Sequence, residues 1–210
     1  MSPGGLVQEF MDHWVALSGD AWLALGGADD VRRALAEAAS ALVPDHGRAT
    51  PRRVVLWSTD ELASLDLPGL LTSQGFELWG STDRPAAGAT REPGAVVEQT
   101  RNQAAASDLG ITTCAWAAAE TGTIALYATP STGRLPSLLP TAHVALVRPS
   151  RIVRSIPDGL RSVAEFGANH GGLPSTVNLV SGPSRTGDIE GDLSVGVHGP
   201  VRAGVIIGEW

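Results

Sequence analysis

Three observations predict an α/β fold, with a mainly parallel sheet, helices on both faces and a hairpin inserted in its middle. Short apolar runs rich in valine, isoleucine and leucine recur at residues 53–57, 143–147, 176–180 and 201–207, as buried strands require. Segments with helical spacing alternate with them, at residues 29–43 and 157–168. Between them, Glu120-Thr121-Gly122 separates two extended stretches, with Gly122 placed where a tight turn needs a positive φ.

Taken in order, Leu6, Phe10, Trp14 and Leu17 fall at helical spacing, so residues 1–28 read as an N-terminal extension or docking helix ahead of a domain spanning 29–210. Asp29 or Asp30 can cap a helix whose inner face carries Val31, Leu35, Ala38 and Leu42, and which ends at Pro44 and Gly47. Arg53–Trp57 is a strand, Ser58 or Thr59 opens a short helix to Leu65, residues 68–74 form a second helical or turn segment, and Phe76–Trp79 is the next strand. Pro85–Pro93 is a loop and Ala95–Ser107 a helix. Ile111–Ala118 and Thr123–Ala128 flank the turn. His143–Val147 and Ile152–Ile156 are strands, and Pro157 takes the first position of a helix to about Ala168. Thr176–Val180 and Val201–Ile207 complete the strands.

The 210 residues suffice for one substantial core, and 43% of them are hydrophobic. A net charge of -7 argues against nucleic-acid binding, which depends on neutralising phosphates. All 15 basic residues are arginines, which removes Schiff-base and P-loop lysine chemistry. The only cysteine, Cys114, sits in an apolar run and reads as a buried structural thiol; it allows no internal disulfide and no cysteine-only metal or iron–sulfur site. No apolar run approaches the roughly 20 residues that span a bilayer, and Met1–Asp12 lacks the basic start and apolar stretch of a signal peptide. A cytoplasmic protein without transmembrane segments is the expectation.

Chemistry-bearing side chains concentrate in residues 181–192, where Ser184, Arg185, Thr186, Asp188 and Glu190 lie among glycines. Arg185 offers a planar fork for a carboxylate or phosphate, and free N–H groups in glycine turns suit an anion. The alternative is a polar crossover in which Thr186 or Asp188 caps a helix. Because this stretch follows a strand, it falls where ligands bind in parallel α/β sheets, beyond the carboxyl ends of the strands. A second cluster, Glu120, Thr121 and Thr123, is either a hydrogen-bonding site or a turn with paired threonines. Among the histidines, His143 opens a strand, and His198 is a candidate base or turn residue. No histidine pair has the spacing of a helical metal site, and no metal site is predicted.

Three stretches resemble the lactate-utilisation (LUD) domain family, specifically its small LutC type. They are Gly110-Ile111-Thr112 leading to Ala119-Glu120-Thr121-Gly122-Thr123; Leu138-Leu139-Pro140 with His143; and Ser181-Gly182-Pro183-Ser184-Arg185-Thr186 with Asp188-Ile189-Glu190 and Gly196-Val197-His198-Gly199-Pro200. The resemblance implies a fold like the NagB, ribose-5-phosphate isomerase and CoA-transferase group. It implies a role in oxidising L-lactate to pyruvate, with no cofactor in this chain and iron–sulfur clusters on partner subunits. On that reading Arg185 would bind the lactate carboxylate or anchor an acidic partner loop. Ser184 and Thr186 would add hydrogen bonds, with Thr121, Thr123, His143, Asp188 and Glu190 as further substrate- or anion-binding residues. Glu120 or His198 would be catalytic and handle the hydroxyl proton. A free-standing CoA- or phosphosugar-type transferase or isomerase, with Glu120 as nucleophile or base, and a structural scaffold are the alternatives on the same fold.

Overall fold

The computed structural model describes residues 3–47, 49–81, 98, 101–129, 131–187, 193–195 and 199–210. Helix α1 (Pro3–Ala16) leads to strand β1 (Asp20–Ala24), helix α2 (Ala28–Leu42) and strand β2 (Arg52–Leu56). Two short helices, α3 (Asp60–Ala63) and α4 (Leu67–Ser73), precede β3 (Phe76–Ser81). After a helical stretch at residues 101–105 come β4 (Leu109–Thr113), β5 (Trp116–Ala118), β6 (Thr123–Ala128), the short helix α5 (Leu135–Leu138) and β7 (Ala142–Val147). Strand β8 (Ile152–Val153), helix α6 (Ile156–His170), β9 (Thr176–Val180), β10 (Arg185–Gly187), β11 (Leu193–Val195) and β12 (Arg202–Gly208) complete the order.

Six strands form a wholly parallel sheet in the order β1-β12-β7-β4-β2-β3. Every residue of β4 and β7 is buried, as parallel strands covered on both faces must be. Helix α2 packs on β12, β1 and β7, α4 packs on β3, and α5 lies against β4 and β7. The contact with α5 is close enough that a Cβ on Gly110 would collide with the Pro136 carbonyl oxygen.

A second sheet, in the order β8-β5-β6-β9, stands beside the first. Ile111–Ala118, read from sequence as one extended stretch, divides here. Residues to Thr113 stay in the parallel sheet, and Trp116–Ala118 pairs antiparallel with β6. Strand β9 also belongs to this second sheet, antiparallel to β6. The inference that residues 181–192 follow a carboxyl end of the parallel sheet is therefore corrected. The apolar run 176–180 identifies a strand but cannot say which sheet receives it. The polar stretch itself contributes β10, which pairs with β11 as a hairpin.

Residues 3–24 are built into the core. Phe10 and Trp14 of α1 are fully buried with ring centroids 6.0 Å apart, and the Trp14 indole N–H donates to the Asp20 carbonyl at 3.0 Å. Strand β1 forms one edge of the parallel sheet. Its composition, Asp-Ala-Trp-Leu-Ala, has Trp22 as its one strand-favouring residue and no β-branched one, so strand propensity gives little sign of it. The Pro85–Pro93 loop lies outside the described residues, as does most of the Ala95–Ser107 helix before residue 101. Among the described residues, no helix is long and apolar enough to cross a membrane.

Truncating Trp14 to alanine should cost about 3–5 kcal/mol, the usual penalty for a buried tryptophan. Denaturant unfolding of Trp14→Ala against the parent checks this; a loss below about 1 kcal/mol would mean that α1 is not part of the cooperative core.

Candidate functional site

From β2 the chain moves outward to β3; the next strand, β4, lies on the other side of β2, and the order then runs on through β7. Strand order thus reverses between β2 and β4. In open parallel sheets the loops leaving the carboxyl ends diverge at such a point and open a crevice where ligands bind. A cleft of ≈ 1400 Å³ occupies this position. Trp57, Ser58 and Thr59 enter it directly after β2, and Thr113–Ala115 at the end of β4. The end of β6 with its following loop, and one side of α6, close it.

The wall after β6 is rich in hydroxyls that hold one another. Thr129 and Thr132 pair through their Oγ1 atoms at 2.7 Å, and Thr132 Oγ1 donates to the Tyr127 carbonyl at 2.8 Å. Thr59 accepts from the Leu62 N–H and so caps α3. Deeper in, the Trp116 indole N–H donates to the Tyr127 hydroxyl at 3.0 Å, which lies 3.0 Å from Ser162 Oγ. Ser162 spends its own proton on the Gly159 carbonyl at 2.7 Å, so Tyr127 is the donor to Ser162. Phe166 packs edge-on against Tyr127 and stacks on His170, giving the cleft an aromatic side.

Its charged part is an ion pair. Arg151 grips Glu61 with both terminal nitrogens, at 2.6 and 3.1 Å, and also donates to the Cys114 carbonyl at 2.7 Å. Arg148 approaches the same carboxylate at 3.3 Å and lies over the Trp210 ring. The Cys114 thiol is pushed up to about 12 by burial, so it stays protonated and is no nucleophile. Its side chain is structural, as its apolar setting in the sequence implies.

Among the described residues, those expected from sequence to bind or react are placed elsewhere, and none of them lines this cleft. Glu120 and Thr121 are exposed on a 3-10 turn against which α1 packs. Thr123 is buried and bonds both Thr121 and Ser181 through its hydroxyl, each at 2.8 Å. His143 is buried inside the parallel sheet, 2.9 Å from Thr112 Oγ1, and burial lowers its pKa to about 4, leaving the ring neutral. Ser184 donates its backbone N–H to the Pro200 carbonyl at 2.9 Å. The Arg185 guanidinium closes the end of α1, donating to the Leu17 carbonyl at 3.0 Å and to the Ser18 hydroxyl. Asp188, Glu190 and His198 lie outside the described residues, as does the side chain of Thr186.

The glycines of both polar clusters serve the same contact. Gly122 has φ +57, and a Cβ there would sit 2.7 Å from the Trp14 backbone nitrogen. A Cβ on Gly182 would sit 2.9 Å from the Leu17 carbonyl oxygen. Glycine at both positions lets the N-terminal helix lie against these turns. Sequence reading missed Glu61, Arg151, Tyr127 and Phe166 as cleft residues. One signal was present in part: Ser58-Thr59 and the hydroxyls at 129–132 each come straight after a strand. Glu61 and Arg151 stand 90 residues apart and carry no local sign of their pairing.

Comparison with known proteins places the chain in context. The LUD domain family model matches residues 28–207. Lactate utilization protein C of Halalkalibacterium halodurans is 34% identical over 158 residues, covering 75% of this chain and 63% of that protein. The protein of the same name from Bacillus subtilis is 40% identical over 110 residues, 52% of this chain and 46% of that one. The chain therefore spans less than two thirds of the length of these relatives. A crystal structure of a DUF162 family protein from Deinococcus radiodurans shares the fold, with a TM-score of 0.63 and 23% identity over 99% of both chains.

Two outcomes follow from this placement. His143 has a folded pKa of about 4 against 6.5 for the free side chain. As pH falls, the unfolded chain protonates first, so the stability carried by neutral His143 is intact above pH 6.5 and is lost between 6.5 and 4. The loss should reach about 2 kcal/mol by pH 5 in urea unfolding and be absent from His143→Gln. Arg185→Ala should lower stability by about 1 kcal/mol through loss of the hydrogen bonds to α1, read by the same denaturation experiment.

Proposed function

Because the chain belongs to the LUD domain family, we propose that it is a subunit of a lactate-utilisation system, supporting oxidation of L-lactate to pyruvate in the cytoplasm, and that the cleft between β2 and β4 holds the small organic acid. The observation that carries this reading is the position of the cleft at the strand-order reversal, where parallel α/β sheets bind ligands. Relatives named lactate utilization protein C support the substrate class. Within the cleft, Arg151 is the group suited to a carboxylate, and the hydroxyls of Ser58, Thr59 and Thr113 suit the substrate's own hydroxyl.

Oxidation of a hydroxy acid releases two electrons, and carriers for them belong on other chains in this reading. The single buried cysteine here cannot ligate a four-cysteine iron–sulfur cluster. Iron–sulfur subunits are accordingly the proposed partners.

The test is growth on L-lactate of a strain lacking this chain, complemented by variants. Asn169 is exposed on α6 and faces the cleft, so Asn169→Trp puts an indole ring into it without touching the core. The parent should restore growth, and Asn169→Trp, folded by circular dichroism, should not. Full growth with the obstructed cleft would overturn the assignment of the site, and growth without the chain would overturn its role.

A further inference from the structure

Glu61 is caught between two arginines in unequal ways. Arg151 holds it with a two-pronged grip, at 2.6 and 3.1 Å. Arg148 reaches the oxygen that Arg151 also holds, with Nε 3.3 Å from Oε1, yet that nitrogen is buried and makes no hydrogen bond among the described residues. A buried donor without an acceptor costs free energy and calls for an explanation. Arg151, meanwhile, is the one arginine lining the cleft among the described residues, and its fork has the geometry that recognises a carboxylate. The carboxylate already seated there belongs to the protein. Glu61 and Arg151 are each partly open to the cleft, with side-chain exposures of 26% and 31%.

We propose that Arg151 is a monocarboxylate-binding residue and that Glu61 occupies its fork as an internal stand-in, moving to Arg148 when a ligand carboxylate arrives. Each carboxylate has an arginine partner before and after the exchange. Arg151 trades one carboxylate for another, and Glu61 keeps an arginine partner and satisfies the idle Arg148 Nε–H. Both arginines are held in place while this happens. Arg151 is tied to the Cys114 carbonyl at 2.7 Å, and the Arg148 guanidinium lies 4.6 Å from the centre of the Trp210 ring. A monocarboxylate fits better than a phosphate or a dicarboxylate. Glu165 also lines the cleft, and a second negative charge on the ligand meets no second arginine there among the described residues.

This inference rests on the cleft being the ligand site, and its test is independent of growth. Binding of pyruvate and L-lactate to the purified chain is measured by titration calorimetry, with lactamide and inorganic phosphate as probes lacking a carboxylate. Glu61→Gln keeps the shape and removes the stand-in, so it should tighten pyruvate binding about tenfold or more, tighten phosphate by clearly less through charge alone, and leave lactamide unchanged. Arg151→Gln should abolish binding, and Arg151→Lys, which keeps the charge and the fold but loses the fork, should weaken it. Arg148→Met should weaken pyruvate binding in the parent and have no effect in the Glu61→Gln background, where nothing needs to be received. The proposal is overturned if Glu61→Gln gains no affinity or shows no binding, if lactamide or phosphate gains equally, or if the Arg148 effect persists without Glu61. The functional reading above fails on a different result, normal lactate growth with Asn169→Trp, whatever Glu61→Gln binds.

Discussion

The passage of the chain from one sheet to the other at Cys114 and Ala115 is the constraint on which the rest of the structure depends. Cys114 is buried and Ala115 half-buried, and both backbone N–H groups are bonded within the protein. The Cys114 N–H donates to the Leu146 carbonyl of the parallel sheet at 3.1 Å, and the Ala115 N–H donates to the Ala125 carbonyl of the second sheet at 2.8 Å. Consecutive peptide groups thus belong to different sheets. The Cys114 carbonyl, freed from either ladder, accepts from Arg151. Ending β4 here separates its outgoing chain from that of β2 and leaves the cleft between them. The same bond places Arg151, the one arginine of the cleft wall among the described residues.

The second organising contact is the seat of α1. The two polar motifs that stand out in the sequence, around Glu120–Thr123 and Ser181–Arg185, meet on this helix. Their glycines admit its backbone, and Arg185 satisfies carbonyl and hydroxyl oxygens at its end, where helices leave acceptors unpaired. The dense polar composition that suggests an anion site is used, in the described part, largely to hold secondary structure together. Thr123 links the two motifs through Thr121 and Ser181.

Membership of the LUD domain family connects this architecture with proteins named for lactate utilization. The cleft is far larger than a three-carbon acid requires, and its walls differ in character. Hydroxyls line one side, aromatic rings another, and an internally neutralised ion pair the third. A neutralised arginine keeps the cleft from collecting anions indiscriminately, since a ligand must displace a resident carboxylate to use it.

Much of the fold was legible locally. Valine- and isoleucine-rich runs mark β2, β7 and β12, and the spacing of Val31, Leu35, Ala38 and Leu42 marks α2, because burial imposes those periods on the chain itself. The three resembling stretches also sufficed to indicate the family. By itself, then, the sequence determined the α/β class, most of the strands and the kinship. Tertiary structure alone decided that β9 joins the second sheet, that β1 closes an edge, and that Arg185 caps a helix. It alone brought Glu61 and Arg151 together across 90 residues. The physical reason is that periodicity records whether a residue is buried. The partner it is buried against is set by strand order and by the direction in which each loop leaves the sheet.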